Sequence, residues 1–300
     1  MALEKIVDLL NHRMAVFQII LTLFFTLPIG SFFNVLIDRI YRGEQFIKGR
    51  SYCESCKHTL SLKDLIPIFS YISLKGKCRY CREKIPGFLN ITELLTAVTF
   101  TTVLFWLTTY SNFALPYSFD IYNYLNAEFI IFSVGLLLFF SFLLLIFLID
   151  LKYQIIPDIF IYAILAIYII GLVLYKYLGF DFNGYGYILY EPLLIHILSA
   201  LIMFVFFGVL HILFKGRAMG EGDIYLSAIL ALFLGFPGTL IMWFTAFLSG
   251  AFIGIILILV KSKNLKSRIA FGPFLIIGFI VGMIWGLFLW NLYLALIIQY

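Results

Sequence analysis

Residues 128–150 read EFIIFSVGLLLFFSFLLLIFLID, an apolar run broken only by two serines and a glycine until it ends on Asp150. A hydrocarbon core of about 30 Å needs about 20 such residues in a helix. The run does not alternate apolar with polar, as a membrane β-strand would, and it is too long for a strand in a soluble core. It reads as a membrane-crossing helix with a carboxylate at its end.

Seven more apolar runs lie near 14–37, 89–110, 158–178, 192–214, 224–235, 239–260 and 274–297. The run 224–235 is short unless it takes in Phe236 and Pro237 or the polar turn before it. The first run is too long and wrongly flanked for a cleaved signal peptide. Composition agrees, with 63% hydrophobic residues and 12% charged among 300 and a mean hydropathy of +1.05. A soluble globule carries about 25% charged residues, and a disordered chain needs low hydrophobicity. The expected fold class is an all-α polytopic membrane protein with about eight transmembrane helices. No internal repeat is evident.

Eight spans place both termini on one side, and the positive-inside rule chooses the side. With the termini outside, 18 of the 21 Lys and Arg fall on inside segments, 11 of them in 38–88. Only Lys5, Arg13 and Lys176 fall outside. The expected location is therefore a cytoplasmic membrane, multi-pass, with both termini outside. The net charge of +5 follows from topology and does not point to nucleic acid. The basic loop suits anionic lipids of the inner leaflet.

Residues 38–88 are the one polar stretch long enough to fold outside the bilayer, and they hold all four cysteines. Cys53-Glu-Ser-Cys56 and Cys78-Arg-Tyr-Cys81 are separated by 21 residues, which suits a tetrahedral Cys₄ zinc site. The alternative is a pair of disulfides, which a reducing cytosol disfavours. A module this small needs a staple, so the zinc is read as structural. His58 and Glu54 are read as bystanders. The expected domains are 1–37 (N-terminal segment and first helix), 38–88 (cytosolic zinc module) and 89–300 (a membrane domain of about seven helices).

Ionisable residues at the ends of spans are functional candidates by default. The same topology brings Asp150, Asp158 and the turn Gly220-Glu221-Gly222-Asp223 to the inner boundary. Two facing carboxylates in a low-dielectric setting share a proton rather than both ionising. One then serves as general base on water while the other polarises a carbonyl. Each also has a plain reading: Asp158 and Asp223 as helix N-caps, Asp150 as the counter-charge of Lys152, and Glu221 as a solvated side chain.

These residues lie among motifs that resemble, over nearly the whole chain, the bacterial type IV prepilin peptidases, integral-membrane aspartic proteases of the GxGD type. Pro28-Ile-Gly30-Ser31-Phe32-Phe-Asn34-Val35 with Arg39 resembles the family's PxGSFxNVxxxR stretch. The two CxxC pairs follow, with Leu65-Ile-Pro67-Ile-Phe-Ser70-Tyr71 between them. Glu93-Leu94-Leu95 matches the acidic start of the second span, and Asp150 to Asp158 the first catalytic motif. Gly220-Glu-Gly-Asp223 matches GxGD, and Ala270-Phe271-Gly272-Pro273-Phe274 the stretch before the last span.

The resemblance implies that Asp150 and Asp223 are the catalytic pair, with Asp158, Gly220, Glu221 and Gly222 beside the substrate. It implies a type IV prepilin or pseudopilin substrate whose basic leader is cut at the cytosolic face. It also implies N-methylation of the new terminus with S-adenosylmethionine, since the four-cysteine module accompanies the bifunctional form. The chain departs from the family where Ile224-Tyr225, rather than a lysine-bearing pair, follows Asp223. No G-x-G-x-x-G follows a strand, and Gly184-Tyr-Gly186 reads as an outside turn. A proton-coupled transporter using the aspartates as a relay is the competing reading; it would place ionisable groups at mid-membrane. His196 and His211 read instead as packed, hydrogen-bonded residues. A non-catalytic membrane scaffold is the third.

Overall fold

The structure is a computed structural model that describes residues 22, 24–45, 49–67, 69–114, 127–178, 192–216, 219–260 and 269–298. Lys5, Arg13, the start of the first apolar run, Gly184-Tyr-Gly186 and the cations of 261–268 lie outside the described residues. The described residues form helices and two isolated β-bridges, Tyr52 with Thr59 and Lys77 with Lys84. They divide into two compact units, Met1–Ile121 with Leu136–Ser141, and Tyr122–Gly135 with Phe142–Tyr300.

In the first unit, α1 runs over 24–42, past the expected end at 37. A 3₁₀ turn (Leu62–Asp64) and α2 (Phe69–Ser73) belong to the cysteine module, and α3 is Phe88–Ala114. Helices α1 and α3 lie antiparallel and close. A Cβ on Gly30 would fall 2.7 Å from Glu93 Cα, and Asn34 Nδ2 donates to Leu89 O at 3.0 Å.

The remaining helices are α4 (Ala127–Tyr153), α5 (Asp158–Leu178), α6 (Leu193–Leu213), α7 (Glu221–Leu259) and α8 (Gly272–Ile298). All five, with α3, are long and apolar enough to cross a membrane. The second unit's core holds Ile146, Ile149, Ile164, Phe207, Leu230, Met242 and Leu275, all essentially inaccessible. Ile159, Tyr162, Ile170, Phe244 and Phe252 are exposed, as lipid-facing side chains are.

Among the described residues six helices are long and apolar enough to span, where eight runs were expected, and α7 accounts for one of the differences. Its 39 residues would make a helix of about 58 Å, near twice the hydrocarbon thickness. It takes in both runs 224–235 and 239–260, and it begins in the polar turn at Glu221. At Gly235 the backbone has φ 67° and ψ −170°, a conformation that only glycine adopts without strain. Pro237 follows, in the first turn of the second half, where its missing N–H costs nothing.

The chain doubles back here. Thr239 Oγ1 donates to Ala231 O at 3.4 Å, whereas residues eight apart in an unbroken helix stand about 12 Å apart along the axis. Helix α6 reports the same reversal. His196 Nδ1 meets Leu232 O at 2.8 Å, and Phe204 lies against Tyr225, so the first half of α7 is antiparallel to α6. Phe206 packs on both Trp243 and Phe247, so the second half runs parallel to it. The two expected runs are therefore two passes. The other difference is α1, whose apolar run begins outside the described residues.

The second half of α7 packs closely on α8. A Cβ on Gly278 would lie 2.3 Å from Met242 O, and one on Gly282 2.6 Å from Gly238 O. Small residues let membrane helices approach this closely, where packing rather than water drives association. His211 bonds to Met219 O at 3.0 Å. Both histidines are thus hydrogen-bonded to backbone, as the sequence reading expected.

Gly235→Ala should lower stability by about 1–3 kcal/mol, measured as thermal unfolding in detergent. Gly171→Ala, where an added Cβ meets nothing within 4 Å, should stay within about 0.5 kcal/mol of the parent.

Candidate functional site

The cysteine module is built from two copies of one turn. Cys53 N–H donates to His58 O and Lys57 N–H to Cys53 O; Cys78 N–H donates to Glu83 O and Arg82 N–H to Cys78 O. Leu60 N–H to Ser51 O repeats as Ile85 N–H to Gly76 O. Lys57 and Arg82 both take positive φ, 55° and 62°. Every position recurs 25 residues on, a repeat the side chains conceal because only the cysteines and the backbone turn are kept.

The turns bring four Sγ atoms within 4.8 Å of one another, with none in a disulfide. Cys53 Sγ and Cys81 Sγ are 3.9 Å apart, close to the edge of about 3.8 Å that a tetrahedron of Zn–S bonds of about 2.3 Å requires. The Cys56 amide, helped by that of Ser55, outweighs burial and holds the Cys53 thiol down at about 7, which favours the thiolate a metal binds. The donor set fits a tetrathiolate metal ion.

Asp64 staples the intervening segment to the second turn. It accepts from Ser61 Oγ at 2.7 Å, Arg79 Nε at 2.6 Å and Tyr80 OH at 3.2 Å. Burial works to raise its carboxyl, but Ser61 and Arg79 hold it down at about 2. Arg42 pairs with Glu54, and His58 stacks on Tyr80. Neither Glu54 nor His58 joins the sulfur cluster.

In the second unit three chain segments meet around two buried aspartates. Asp150, 4% exposed, lies inside α4 rather than at its end, because the helix runs on to Tyr153. Its Oδ2 accepts from Gly272 N–H at 3.0 Å, at the first residue of α8. Asp223, 7% exposed, sits in the first turn of α7, where Oδ2 accepts from Gly220 N–H at 3.0 Å. Gly220 is the N-cap, so Asp223 closes the turn from inside the helix. Its Oδ1 is buried with no hydrogen-bond partner.

The segments that carry the two aspartates meet at one side chain, since Gly222, next to Asp223, and Gly272, which holds Asp150, both pack on Ile156. Neither aspartate has an ion pair among the described residues, and Lys152 Nζ instead lies over the Tyr153 ring. Ile156, in the connection to α5, wedges between the other two segments. A Cβ on Gly222 would fall 2.7 Å from Ile156 Cβ. One on Gly272 would fall 2.7 Å from Asp150 Oδ2 and 3.2 Å from Ile156 Cδ1. Gly222 and Gly272 therefore admit Ile156 and Asp150 where any side chain would exclude them.

The structure brings Asp150, Asp223, Gly220 and Gly222 together, but not Asp158 and Glu221. Glu221 is exposed. Asp158 is the exposed first residue of α5, where the helix's positive end favours a carboxylate. It lines a small cavity with Ile161, Tyr162, Leu165 and Tyr225. Neither Gly272 nor Ile156 has a role that the sequence alone assigns, although both stand in the motifs around the aspartates. The Gly-Pro pair opening the last apolar run was the available signal.

Residues 24–107 match the family model described as Bacterial Peptidase A24 N-terminal domain, and residues 137–259 the one described as Type IV leader peptidase family. The chain is 28% identical to the prepilin leader peptidase/N-methyltransferase of Aeromonas salmonicida (strain A449), over 96% of this chain and 98% of the relative. It is 25% identical to that of Legionella pneumophila, over 90% and 92%. The Pseudomonas aeruginosa relative of the same name is 24% identical, over 93% of each chain. No solved structure matches at a significant level.

Gly222→Ala should cost about 1–3 kcal/mol by overpacking. Ile156→Ala should relieve part of that cost, with a coupling of about 1 kcal/mol in a double-mutant cycle of unfolding free energies.

Proposed function

Because the chain belongs to the type IV leader peptidase family, we propose that Asp150 and Asp223 are the catalytic pair of a membrane-embedded aspartic endopeptidase that removes the leader from type IV prepilins or pseudopilins. One observation supports this reading above the rest. Two carboxylates from distant segments are buried beside glycines, with no ion pair among the described residues, and one of their oxygens lacks a hydrogen-bond partner there. A structural carboxylate would be fully hydrogen-bonded or paired.

The pair shares a proton in the resting site. The ionised member takes a proton from water as that water attacks the scissile carbonyl, while the protonated member donates to the carbonyl oxygen. Gly272 N–H holds Asp150 Oδ2 and Gly220 N–H holds Asp223 Oδ2. Asp223 Oδ1 is left for water or substrate. At Gly220 an added Cβ would meet only Asp223 Oδ2, so an extended substrate strand could come close to Asp223 on that side.

The charge-rule topology puts this site at the cytosolic face of the inner membrane, with both termini outside. A basic leader would meet it there while the substrate's apolar helix stays in the bilayer. Asp158 is proposed to contact substrate rather than to take part in the chemistry. The four cysteines would hold zinc, which supplies a structural cross-link between the two turns. Methylation of the new N-terminus, with S-adenosylmethionine as donor, is proposed from the names of the relatives.

Asp150→Asn and Asp223→Asn, reconstituted with a prepilin, should each lose cleavage by about 100-fold or more, followed by the mobility shift of the substrate. Full cleavage by either variant would remove the pair from the chemistry. Metal analysis should find one zinc per chain in the parent protein and none after Cys56→Ser with Cys81→Ser. The variant's 38–88 segment should become sensitive to protease.

A further inference from the structure

Asp158 stands apart from the buried aspartates, in a cavity of its own. Asp158, Ile161, Tyr162 and Leu165 follow one another at helical spacing along one face of α5. Tyr225 and Ala228 do the same on the first half of α7. The two stripes line a cavity of about 200 Å³. Both walls start from the aspartate site. Asp158 is two residues past Ile156, on which Gly222 and Gly272 pack, and Tyr225 is two residues past Asp223. Two residues turn a helix by about 200°, so the cavity lies across the first turn of α7 from Asp223.

Its lining suits a cation on an apolar stem. Asp158 is exposed and has no ion pair among the described residues. Tyr162 and Tyr225 are 68% and 49% exposed, so their rings are open to a ligand. Phe204 of α6 lies against the Tyr225 ring at 6.0 Å and supports it from the other helix. Tyrosine ring faces attract an ammonium or a guanidinium, and Ile161, Leu165 and Ala228 offer apolar surface to a methylene stem. Two neighbouring helix starts would by themselves favour an anion. Here each carries a carboxylate in its first turn, Asp158 in α5 and Glu221 in α7, which reverses the sign. Lysine and arginine are the side chains that combine such a stem with such a head.

We propose that this cavity binds a lysine or arginine side chain of the leader, with Asp158 as its counter-charge and Tyr162 and Tyr225 as its aromatic walls. The inference rests on the leader-peptidase reading above and deepens it by fixing where the leader's charge is held. These are binding residues: the cation stays charged, and no bond is made or broken at it. A basic residue anchored here draws the chain that follows it across the first turn of α7 toward Asp223, so the anchor selects which peptide bond reaches the aspartates.

The test uses full-length protein in liposomes with a prepilin, and follows the rate and position of cleavage by mass spectrometry. Asp158→Asn should raise KM about tenfold, more than it lowers kcat, and Asp158→Glu should recover part of the loss. Tyr225→Leu keeps an apolar wall without a ring face and should raise KM about threefold, with Tyr225→Phe losing less. Each lysine and arginine of the leader is then changed singly to alanine. At one position that change and Asp158→Asn should together cost little more than either alone. Asp158→Lys should be rescued by a glutamate placed at the same position of the leader.

The proposal falls if every leader position is additive with Asp158→Asn, or if folded Asp158→Asn loses kcat at unchanged KM. It also falls if the KM effect needs phosphatidylethanolamine and vanishes in liposomes of phosphatidylglycerol alone, which would give the cavity to a lipid ammonium. Thermal unfolding in detergent checks that each variant is folded. If Asp158→Asn is not, Tyr225→Leu carries the same scan. A parent protein that cleaves no prepilin would overturn the leader-peptidase reading itself, a different result from any of these.

Discussion

The amide of Gly272 donates to Asp150 across 122 residues of sequence, in surroundings where water is scarce and an unsatisfied carboxylate oxygen is expensive. That bond requires α8 to begin at the level of Asp150, and only a residue without a side chain can begin it there. Once the start of α8 is set, Gly278 and Gly282 lock its length against the second half of α7. The reversal at Gly235 then places the first half, with Asp223 at its start. The position of one aspartate relative to the other thus follows from a chain of close backbone approaches. None of these approaches tolerates a Cβ, which ties the fold's packing to the site's geometry.

Electrostatics divides the labour differently in the two units. The module near the membrane surface is rich in charge, and its acids are satisfied: Asp64 by Ser61, Arg79 and Tyr80, and Glu54 by Arg42. Glu54 is exposed there and costs little, while the buried Asp64 is offset by its hydrogen bonds and by Arg79. Inside the membrane helices charge is rare, and at the buried Asp223 one carboxylate oxygen, Oδ1, is left without a partner among the described residues. An unsatisfied carboxylate oxygen is costly for stability, which is the feature the proposed chemistry at Asp223 accounts for.

Much of this was legible in the residues. Unbroken apolar runs such as 129–149 leave a helix as the only element whose backbone is satisfied in lipid. The spacing of Cys53, Cys56, Cys78 and Cys81 specifies a cluster of four sulfurs that can hold a metal ion, because a CxxC turn sets two sulfurs a tetrahedron edge apart. Asp150 and Asp223 stood out because a carboxylate at the end of a span is costly. Other features were hidden. The repeat of the two cysteine turns lies in backbone angles at Lys57 and Arg82, not in side-chain identity. Asp158 and Glu221 were read as substrate-site candidates beside the pair, and both are exposed; sequence gives the end of a helix but not which way a side chain faces. Ile156 looked like any apolar linker residue.

The sequence by itself determined that this chain is a membrane-spanning helical protein with one four-cysteine module, since length, hydropathy and cysteine spacing act locally along the chain. It also named the two aspartates, through their cost at a membrane boundary. Only the tertiary structure decided that Gly272 and Ile156 complete their surroundings, that one 39-residue helix is two passes, and that Asn34 of α1 bonds the backbone of α3 at Leu89. Those are contacts between distant segments. They depend on how closely two backbones approach, which no local pattern of residues encodes.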